Sequence, residues 1–506
     1  MQTDVLIIGA GPTGLALGCQ LLRYGIDFAI IDKRESTSPY SRAIGVQART
    51  LEIYEQIELA EKLVALGKPA EKVRMVEGGI VRGEAELTNI GSGMSPYPFM
   101  LIVEQGKHES LLYDFIRSHG RAVDWCNELE TLTRSEDGVS ALVRDPSGKP
   151  RSIEVKYLVG CDGANSTVRH QLGLTFEGDT VERLFYVADV SIDWEYSHDA
   201  LHVCLAKHTI TAFFPMVGEN RYRIVGTFPE GHEADEKEIL YEEIEDRIRH
   251  DTEMDLDISH VTWFSAYKVH SRVVDRFSEG QCFVAGDSAH IHTPAGAQGM
   301  NTGIQDGYNL AWKLALACKG KAGPGLLATY NEERLPNAHH LVRTTDRLFQ
   351  FGASDEWFIS YFRTHIFPHL LGFALNFDIV KKAIFPLVSQ IGINYHDSSL
   401  SVDECDFDIK AGDRMPYFKI GHSVYDELRS PKFHLITFGG DGFGAVDPRL
   451  ADILDVHSLP FADEITRHFG ADEPFSVVLR PDNYIGLITR SMKRERIREY
   501  LGSALT

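Results

Sequence analysis

Three glycines near the start of the chain have the spacing of a phosphate-binding turn. The segment Gly9–Gly14 has the pattern GxGxxG, which lets the backbone turn tightly, approach a pyrophosphate and pack a helix against the preceding strand. The helix that follows would direct free N–H groups and its positive dipole end toward the phosphates. Asp32 stands at the end of the next apolar run, where a carboxylate accepts hydrogen bonds from ribose hydroxyls. These residues predict a bound dinucleotide and leave FAD and NAD(P) both open.

A βαβ unit is predicted to position this turn. The apolar run Asp4–Gly9 is typical of a strand buried in a parallel sheet, and a helix Gly14–Tyr24 and a second strand Phe28–Asp32 follow it. Two more apolar runs end in glycine-containing junctions, at Val159–Gly163 and Phe283–Asp287. Each could add a strand to the same sheet, so we expect the nucleotide-binding domain to be discontinuous in sequence.

A second motif narrows the choice of dinucleotide. Gly286–Asn301 has the sequence GDSAHIHTPAGAQGMN, which places an acid after a strand and a glycine-rich turn before a helix. Together with Arg42–Gly45 and the pair Asp162–Gly163, this motif resembles the FAD-dependent aromatic hydroxylases. These are single-component flavoprotein monooxygenases similar to para-hydroxybenzoate hydroxylase and phenol hydroxylase. The resemblance covers most of the first 340 residues and implies FAD, with NAD(P)H as co-substrate.

The resemblance also implies an α/β fold with a discontinuous Rossmann-like FAD-binding domain. Alternating strands after about residue 175 predict an inserted β-rich substrate domain, including a hairpin around Gly218–Asn220. The end of the chain resembles the thioredoxin-like α+β domain of the phenol hydroxylase branch, but it has no CxxC and no cysteine after Cys405. The expected ranges are 1–72, 101–174 and 270–400 for the FAD domain with a helical extension, 73–100 and 175–269 for the substrate domain, and 406–506 for the thioredoxin-like domain.

The resemblance assigns roles to individual residues. Asp287 would bind the ribityl or pyrophosphate part of FAD, and Asp162 would serve both FAD and NAD(P)H. We assign catalytic roles to Pro294, whose carbonyl would face flavin and substrate, and to Arg42, beside the pyrophosphate and the mobile flavin. The predicted cofactor-binding residues are Gly9, Gly11, Pro12, Thr13, Gly14, Asp32, Lys33, Arg34, Arg42, Ala43, Gln105, Leu129, Asp162, Gly163, Gly286, Asp287, Pro294, Gly299, Met300 and Asn301.

The charge of the flavin explains the last three residues of this set. Reduction of FAD places negative charge on the N1–C2=O edge of its ring. The backbone N–H groups of Gly299, Met300 and Asn301, at the start of a helix, would stabilise that charge. His290 and His292 lie in the same motif, where we expect structural hydrogen bonds and not general-base catalysis.

Aromatic residues of the β-rich region are candidates for a substrate pocket. Phe213, Phe214 and Tyr222 are selected because aromatic substrates prefer aromatic walls, although packing in the core is an equal alternative for them. For Trp263 and Tyr267, which alternate on a strand, both roles also stay open.

The expected function is NAD(P)H- and O2-dependent hydroxylation of an aromatic or polycyclic phenolic compound. The resemblance implies that oxygen is transferred from a flavin hydroperoxide. A Baeyer–Villiger or epoxidation reaction needs only a different substrate pose, so it remains an alternative. A flavin-containing binding protein without turnover is the alternative from another class. Cofactor consumption and product analysis would separate the three.

The overall composition argues against several other classes of protein. The chain has 51 Lys and Arg against 73 Asp and Glu, a formal charge of -22 that disfavours nucleic acid and anionic lipid. Its seven cysteines form no CxxC pair, and the histidine pairs His290/His292 and His339/His340 have no carboxylates at ligand spacing, so no metal is expected. Charged residues interrupt the apolar stretch His369–Tyr395, and no signal segment is visible. We expect a cytoplasmic monomer or homodimer.

Overall fold

The computed structural model describes residues 2–39, 43–206, 208–229, 239–353, 374, 377–439, 450–491 and 493–505. Its strands are β1 Gln2–Ile8, β2 Phe28–Asp32, β3 Gly45–Val46, β4 Lys68–Pro69, β5 Lys72–Glu77, β6 Ile80–Glu86, β7 Leu101–Ile102, β8 Val123–Trp125, β9 Glu128–Arg134, β10 Val139–Arg144, β11 Pro150–Gly160, β12 Phe176–Trp194, β13 Ala200–Leu205, β14 Ile210–Pro215, β15 Arg221–Thr227, β16 Leu256–Val274, β17 Ser278–Glu279, β18 Cys282–Val284, β19 His290–Ile291, β20 Val402–Asp403, β21 Lys419–Ile420, β22 His422–Ser423, β23 Phe433–Phe438, β24 Leu454–Leu459, β25 Phe475–Leu479 and β26 Ile485–Thr489. Its α-helices are α1 Pro12–Arg23, α2 Ala48–Glu55, α3 Ala60–Leu66, α4 Gln105–Ser118, α5 Thr167–Gln171, α6 Tyr241–Thr252, α7 Gly299–Cys318, α8 Pro324–Ala353, α9 Asp378–Val388, α10 Asp463–Phe469 and α11 Arg494–Ala504.

The first sheet gathers strands from separate parts of the chain. Its order is β17-β18-β11-β1-β2-β8, and β18, β11, β1, β2 and β8 run parallel. Val5, Leu6 and Ile7 are fully buried, as expected for a strand covered on both faces. Because the strands are parallel, the junctions that follow β1, β11 and β18 lie at the same edge of the sheet. The predicted α/β class with a discontinuous nucleotide-binding sheet is confirmed.

The second sheet is mainly antiparallel and has the order β19-β16-β12-β15-β14-β13-β5-β6. Two strands of 19 residues, β12 and β16, pair antiparallel toward one edge of this sheet, next to the short edge strand β19. The predicted hairpin is confirmed, since β14 and β15 pair antiparallel. Gly218 and Asn220 of its turn have φ of 117° and 56°, values that favour glycine and asparagine. One face of this sheet packs around Tyr186, Phe213 and Tyr222.

The C-terminal part forms a separate five-stranded mixed sheet, ordered β20-β26-β25-β23-β24, with α10 and α11 beside it. Strands β23, β25 and β26 are fully buried. The thioredoxin-like assignment of this region stays a prediction. All seven cysteines lie in the described part of the chain, where they are free thiols.

Long helices cover the sheet edge that carries the glycine junctions. Helix α7 is almost entirely buried and packs against α1, while α8 continues for 30 residues. Part of the helical extension expected within the range 270–400 lies outside the described residues. Among the helices that are described, none is long and apolar enough to cross a membrane.

Candidate active site

A cavity of about 550 Å³ lies where the parallel strands of the first sheet end, with the second sheet forming its far wall. Most of the predicted cofactor-binding residues line it: Gly9, Gly11, Pro12, Thr13, Asp32, Lys33, Arg34, Ala43, Gln105, Leu129, Asp162, Gly163, Asp287, Pro294, Gly299 and Met300. Gly14, Gly286 and Asn301 lie beside these residues without lining the cavity. Arg42, one of the two predicted catalytic residues, lies outside the described residues.

The three glycines of the first motif serve different purposes. Gly9 has φ of 105°, and a Cβ there would lie 2.2 Å from the carbonyl oxygen of Cys161 on the neighbouring junction. A Cβ on Gly14 would lie 2.0 Å from the carbonyl oxygen of Gly9, so Gly14 allows α1 to pack against β1. A Cβ on Gly11 would meet no atom of the described residues within 4 Å. Gly11 therefore keeps open a part of the cavity directly before α1.

Asp32 ends β2 and has a fixed orientation. Its carboxylate accepts hydrogen bonds from the backbone N–H of Ala10 at 2.7 Å and from Arg34 Nε and Nη2 at 3.1 and 3.0 Å. Burial alone would raise the pKa of Asp32, but the hydrogen bonds from Arg34 and Ala10 lower it below its ordinary value. A charged acceptor therefore stands at the end of the cavity where ribose hydroxyls are expected.

Ser288 joins the two later junctions to each other. The Asp162 carboxylate accepts hydrogen bonds from Ser166 at 2.5 Å and from Ser288 Oγ at 3.0 Å. The backbone N–H of Gly163 in turn donates to Ser288 Oγ at 2.9 Å. Asp162 therefore fixes the backbone of the turn, and Gly163, with φ of 84°, forms the cavity wall there.

Asp306 on α7 is a functional residue that sequence reasoning missed. It accepts hydrogen bonds from the backbone N–H of Gly286 at 2.9 Å, from His290 Nε2 at 2.8 Å and from Arg334 Nε at 2.6 Å. Burial would raise the pKa of Asp306, but Arg334 and His290 lower it, so the carboxylate is charged. It holds the turn that carries Asp287. A carboxylate in a helix that is otherwise buried needs a charged or hydrogen-bonding partner. That requirement could have identified Asp306 from the sequence.

The first turn of α7 faces the cavity that Asp32 also lines. Gly299 and Met300 line the cavity, so the free N–H groups of this helix terminus are directed into it. The Asn301 side chain points away instead: its Nδ2 donates to the carbonyl of Gly45 at 2.9 Å, and its Oδ1 accepts from the N–H of Gln47 at 2.9 Å. Asn301 thus ties the segment after Ala43 to α7.

The two histidines of the motif differ in their surroundings. His290 makes the structural hydrogen bond to Asp306 described above. His292 lines the cavity, and its Nδ1 donates to the carbonyl of Thr293 at 2.6 Å. Burial lowers the pKa of His292 to about 4, so its imidazole is neutral at neutral pH. The cavity therefore carries no imidazolium at this position.

Only one of the three selected aromatic residues faces the cavity. Phe214 lines it, together with Val225, Tyr267 and Val269. Phe213 is fully buried in the core on the other face of the sheet, because neighbouring residues of a strand point to opposite faces. Tyr222 lies in the same core, where its hydroxyl accepts a hydrogen bond from Trp194 Nε1 at 3.1 Å. Phe213 and Tyr222 therefore pack in the core and do not line the substrate pocket.

The lining of the cavity fits FAD in its chemistry. It combines Asp32 and Leu129 of the first sheet with Pro294 of the second motif and Phe214 of the second sheet. The backbone at Gly11 leaves space against the N-terminus of α1, which is where a pyrophosphate binds.

Comparison with known proteins gives the family. The model of the FAD binding domain family matches residues 2–345. A flavin-dependent monooxygenase of Mycobacteroides abscessus is 34% identical over an alignment 512 positions long, which covers 98% of this chain and 99% of the relative. A 6-methylpretetramide 4-monooxygenase of Streptomyces rimosus is 34% identical, and the match covers 95% of this chain and 90% of the relative.

A solved structure agrees over the full length. The anhydrotetracycline hydroxylase of Streptomyces rimosus superimposes with a TM-score of 0.77 at 26% identity, covering 100% of this chain and 99% of that one. These similarities confirm the predicted family, the FAD cofactor and the enzyme class. The chain belongs to the FAD-dependent aromatic hydroxylases, a family of flavoprotein monooxygenases.

Proposed function

We propose that this enzyme uses NAD(P)H and O2 to hydroxylate an uncharged, planar aromatic or polycyclic phenolic compound. The observation that carries the substrate class is the wall that the second sheet contributes to the cavity. It consists of Phe214, Val225, Tyr267, Val269 and Ile291, and no charged side chain of this sheet lines the cavity among the described residues. Such a wall favours an apolar ring over a charged or aliphatic substrate.

Two relatives support hydroxylation over the other reactions. One is named for 4-monooxygenation of 6-methylpretetramide and another for hydroxylation of anhydrotetracycline. Neither name points to a Baeyer–Villiger reaction or an epoxidation, and both describe turnover, unlike a binding protein.

The residues of the chain would position and protect the reaction. FAD, when bound, accepts a hydride from NAD(P)H and activates O2. The N-terminus of α7, at Gly299 and Met300, would stabilise negative charge at one edge of the flavin, and Pro294 would present its carbonyl between flavin and substrate. Phe214 and Tyr267 would orient the ring and exclude water. We propose that Arg42 assists beside the flavin.

Phe214 and Phe213 provide a matched test of the pocket. We expect Phe214→Ala to raise KM for the aromatic substrate about tenfold, because the wall loses roughly 1–3 kcal/mol of buried contact. FAD content should not change. Phe213→Ala should instead lower the free energy of unfolding by about 3–5 kcal/mol, as expected for an aromatic core residue. Steady-state kinetics and chemical denaturation measure the two effects, and a KM unaffected by Phe214→Ala would contradict the assigned wall.

The decisive experiment measures NADPH and NADH oxidation by the purified holoenzyme with a panel of phenols and polycyclic quinones. One compound should accelerate oxidation and yield a product that gains one oxygen atom from ¹⁸O2. An aromatic C–OH group in that product, identified by NMR, establishes hydroxylation, whereas an inserted ring oxygen or an epoxide establishes an alternative. A flavin that neither nicotinamide reduces would overturn the proposal.

We propose three domains, since the described strands form three large sheets. We propose a cytoplasmic location, because the seven free thiols are typical of a reducing compartment. We also propose that the enzyme is a monomer or a homodimer. The preference for NADPH or NADH follows from the oxidation assay.

A further inference from the structure

We propose that Tyr395 is a positioning residue for FAD, through which the C-terminal part of the chain holds the turn that carries Asp287. Asp306 fixes this turn, and Arg334 connects Asp306 to the Tyr395 hydroxyl. Because the connection would act on binding of the cofactor, it does not depend on which reaction the enzyme catalyses.

Arg334 on α8 is the centre of the connection. It is fully buried, and its Nε donates to Asp306 at 2.6 Å, its Nη1 to the Tyr395 hydroxyl at 2.9 Å and its Nη2 to the carbonyl of Thr302 at 3.2 Å. With its amide oxygen turned toward the guanidinium, Asn337 accepts from both Nη atoms, at 2.9 and 3.0 Å. Each N–H of the guanidinium therefore has an acceptor, and Arg334 is held in one orientation.

This arginine holds two elements that line the cofactor cavity. Through Asp306 it fixes the N–H of Gly286, which directly precedes the cavity-lining residue Asp287. Through the carbonyl of Thr302 it also holds the first turn of α7, which faces the cavity. A displaced guanidinium would therefore move both elements relative to each other.

Tyr395 is held in turn by residues of the C-terminal part of the chain. Its N–H donates to the carbonyl of Gly412 at 2.8 Å. Its ring centroid lies 4.4 Å from that of Tyr484, and the guanidinium of Arg480 lies 5.3 Å from the same Tyr395 centroid. Gly412 has φ of 93°, and a Cβ there would lie 2.6 Å from the Tyr395 carbonyl oxygen, so only glycine allows this close approach. The backbone and the ring of Tyr395 are thus both fixed.

A tyrosine hydroxyl suits this position because it is a neutral acceptor. Burial raises the pKa of Tyr395 well above its ordinary value, so the hydroxyl keeps its proton. The charge of Arg334 is then balanced by Asp306, whose carboxylate also accepts from the Gly286 N–H. A carboxylate in place of the hydroxyl would compete with Asp306 for the guanidinium. The hydroxyl instead orients Arg334 without drawing it away from Asp306.

Packing alone does not require the hydroxyl. A phenylalanine ring at this position would keep the contacts with Tyr484 and Arg480, and its backbone would keep the bond to Gly412. It would, however, leave one N–H of the buried Arg334 guanidinium without an acceptor. Tyr395→Phe therefore removes the connection and preserves the packing.

Tyr500→Phe is the matched control for Tyr395→Phe. Tyr500 is also buried in the C-terminal part of the chain, and its hydroxyl donates to the carbonyl of Leu400 at 3.0 Å, a bond that involves neither Arg334 nor the cavity. Each variant loses one buried hydrogen bond, so we expect both to lower the free energy of unfolding of the apoprotein.

Only Tyr395→Phe should weaken cofactor binding. We expect the FAD dissociation constant, measured by titrating the apoprotein with FAD, to rise about fivefold, because the cofactor must now order a loosened turn. Amide hydrogen exchange of a peptide covering residues 285–291 should also accelerate about fivefold in the apoprotein. Neither quantity should change in Tyr500→Phe.

A second background shows whether Tyr395 acts through Asp306. Asp306→Asn replaces the carboxylate that receives Arg334, so adding Tyr395→Phe should raise the FAD dissociation constant by less than about twofold. If the Asp306→Asn apoprotein does not fold, Arg334→Lys provides the same comparison, because a lysine cannot span Asp306 and Tyr395.

An FAD dissociation constant that Tyr395→Phe leaves unchanged would overturn the proposal, even if the protein became less stable, because the hydroxyl would then serve the fold alone. Equal effects of Tyr395→Phe with and without the Asp306 carboxylate would also overturn it, since Tyr395 would act by another route. Weaker FAD binding and faster exchange that are confined to Tyr395→Phe, and that shrink in the second background, would establish the proposal. That result would stand even in an enzyme that hydroxylates no aromatic compound.

Discussion

Replacing Gly11 by valine is expected to abolish FAD binding while the apoprotein keeps its fold. The backbone at Gly11 has φ of -77° and ψ of -176°, which any residue adopts, and its Cβ would meet no described atom within 4 Å. Valine therefore costs the fold only about 1 kcal/mol, as a poor residue at a helix N-cap. The same side chain would occupy the space before α1 where the pyrophosphate must approach the backbone.

The expected result is a colourless protein. We predict an FAD dissociation constant raised at least ~100-fold, about 2.7 kcal/mol, because the side chain displaces the pyrophosphate from the N-terminus of α1. Absorbance near 450 nm after purification and titration of the apoprotein with FAD measure this effect.

Gly14→Val serves as the contrast. A Cβ on Gly14 would lie 2.0 Å from the carbonyl of Gly9 and 3.2 Å from Ile7, so the fold itself should fail. The melting temperatures of the two apoproteins should therefore differ strongly. A Gly11→Val protein that is purified yellow, with normal FAD affinity, would show that the pyrophosphate binds elsewhere.

This contrast shows what the sequence could predict and why. The spacing of the glycines, the order of strand and helix, and the acid at Asp32 predicted the parallel sheet. They also predicted which end of its strands carries the cavity. These signals are local, because a turn, a strand and a cap each have their own residue preferences. The different duties of Gly11 and Gly14 follow from the motif itself and need no tertiary contact.

Other parts of the site depend on contacts between distant segments, which leave no local pattern. Alternation along β14 required that Phe213 and Phe214 face opposite ways, but which face meets the cavity depends on how the two sheets pack. The partners of Asp306 lie on other elements, so only the fold could connect them. Buried charges in otherwise apolar segments were the one available hint.

A buried cluster of charged side chains joins the C-terminal region to the rest of the chain. Glu333 on α8 accepts from Lys313 Nζ on α7 at 2.8 Å and from Arg480 Nη1 at 2.5 Å. Arg480 also donates to Asp482, and all four side chains are nearly inaccessible to solvent. The helix that carries the flavin-binding turn is thus attached to the C-terminal region through paired charges.

Arg480→Met is expected to lower the free energy of unfolding by about 3–5 kcal/mol, because it leaves the carboxylates of Glu333 and Asp482 buried with a lost partner. Arg467→Met is the control: Arg467 pairs with Glu464 on the surface, where such a pair contributes about 0–1 kcal/mol. Chemical denaturation of both variants measures the difference. Equal losses would mean that the buried cluster does not stabilise the attachment.

The dependence of stability on pH tests the same cluster in a second way. Unlike Arg480→Met, this test does not depend on a cavity that a shorter side chain would leave. Burial alone would raise the pKa of Glu333, but Arg480 and Lys313 hold it well below its ordinary value. The unfolded chain then binds a proton that the folded one does not, so this contribution is present above about pH 4.3 and is lost as the pH falls below it. Glu333→Gln should be less stable than the unsubstituted protein at pH 7, and the gap should narrow toward pH 3. A gap that stays constant over this range would show that folding does not lower the pKa of Glu333, and Arg480 and Lys313 would then not stabilise its charged form.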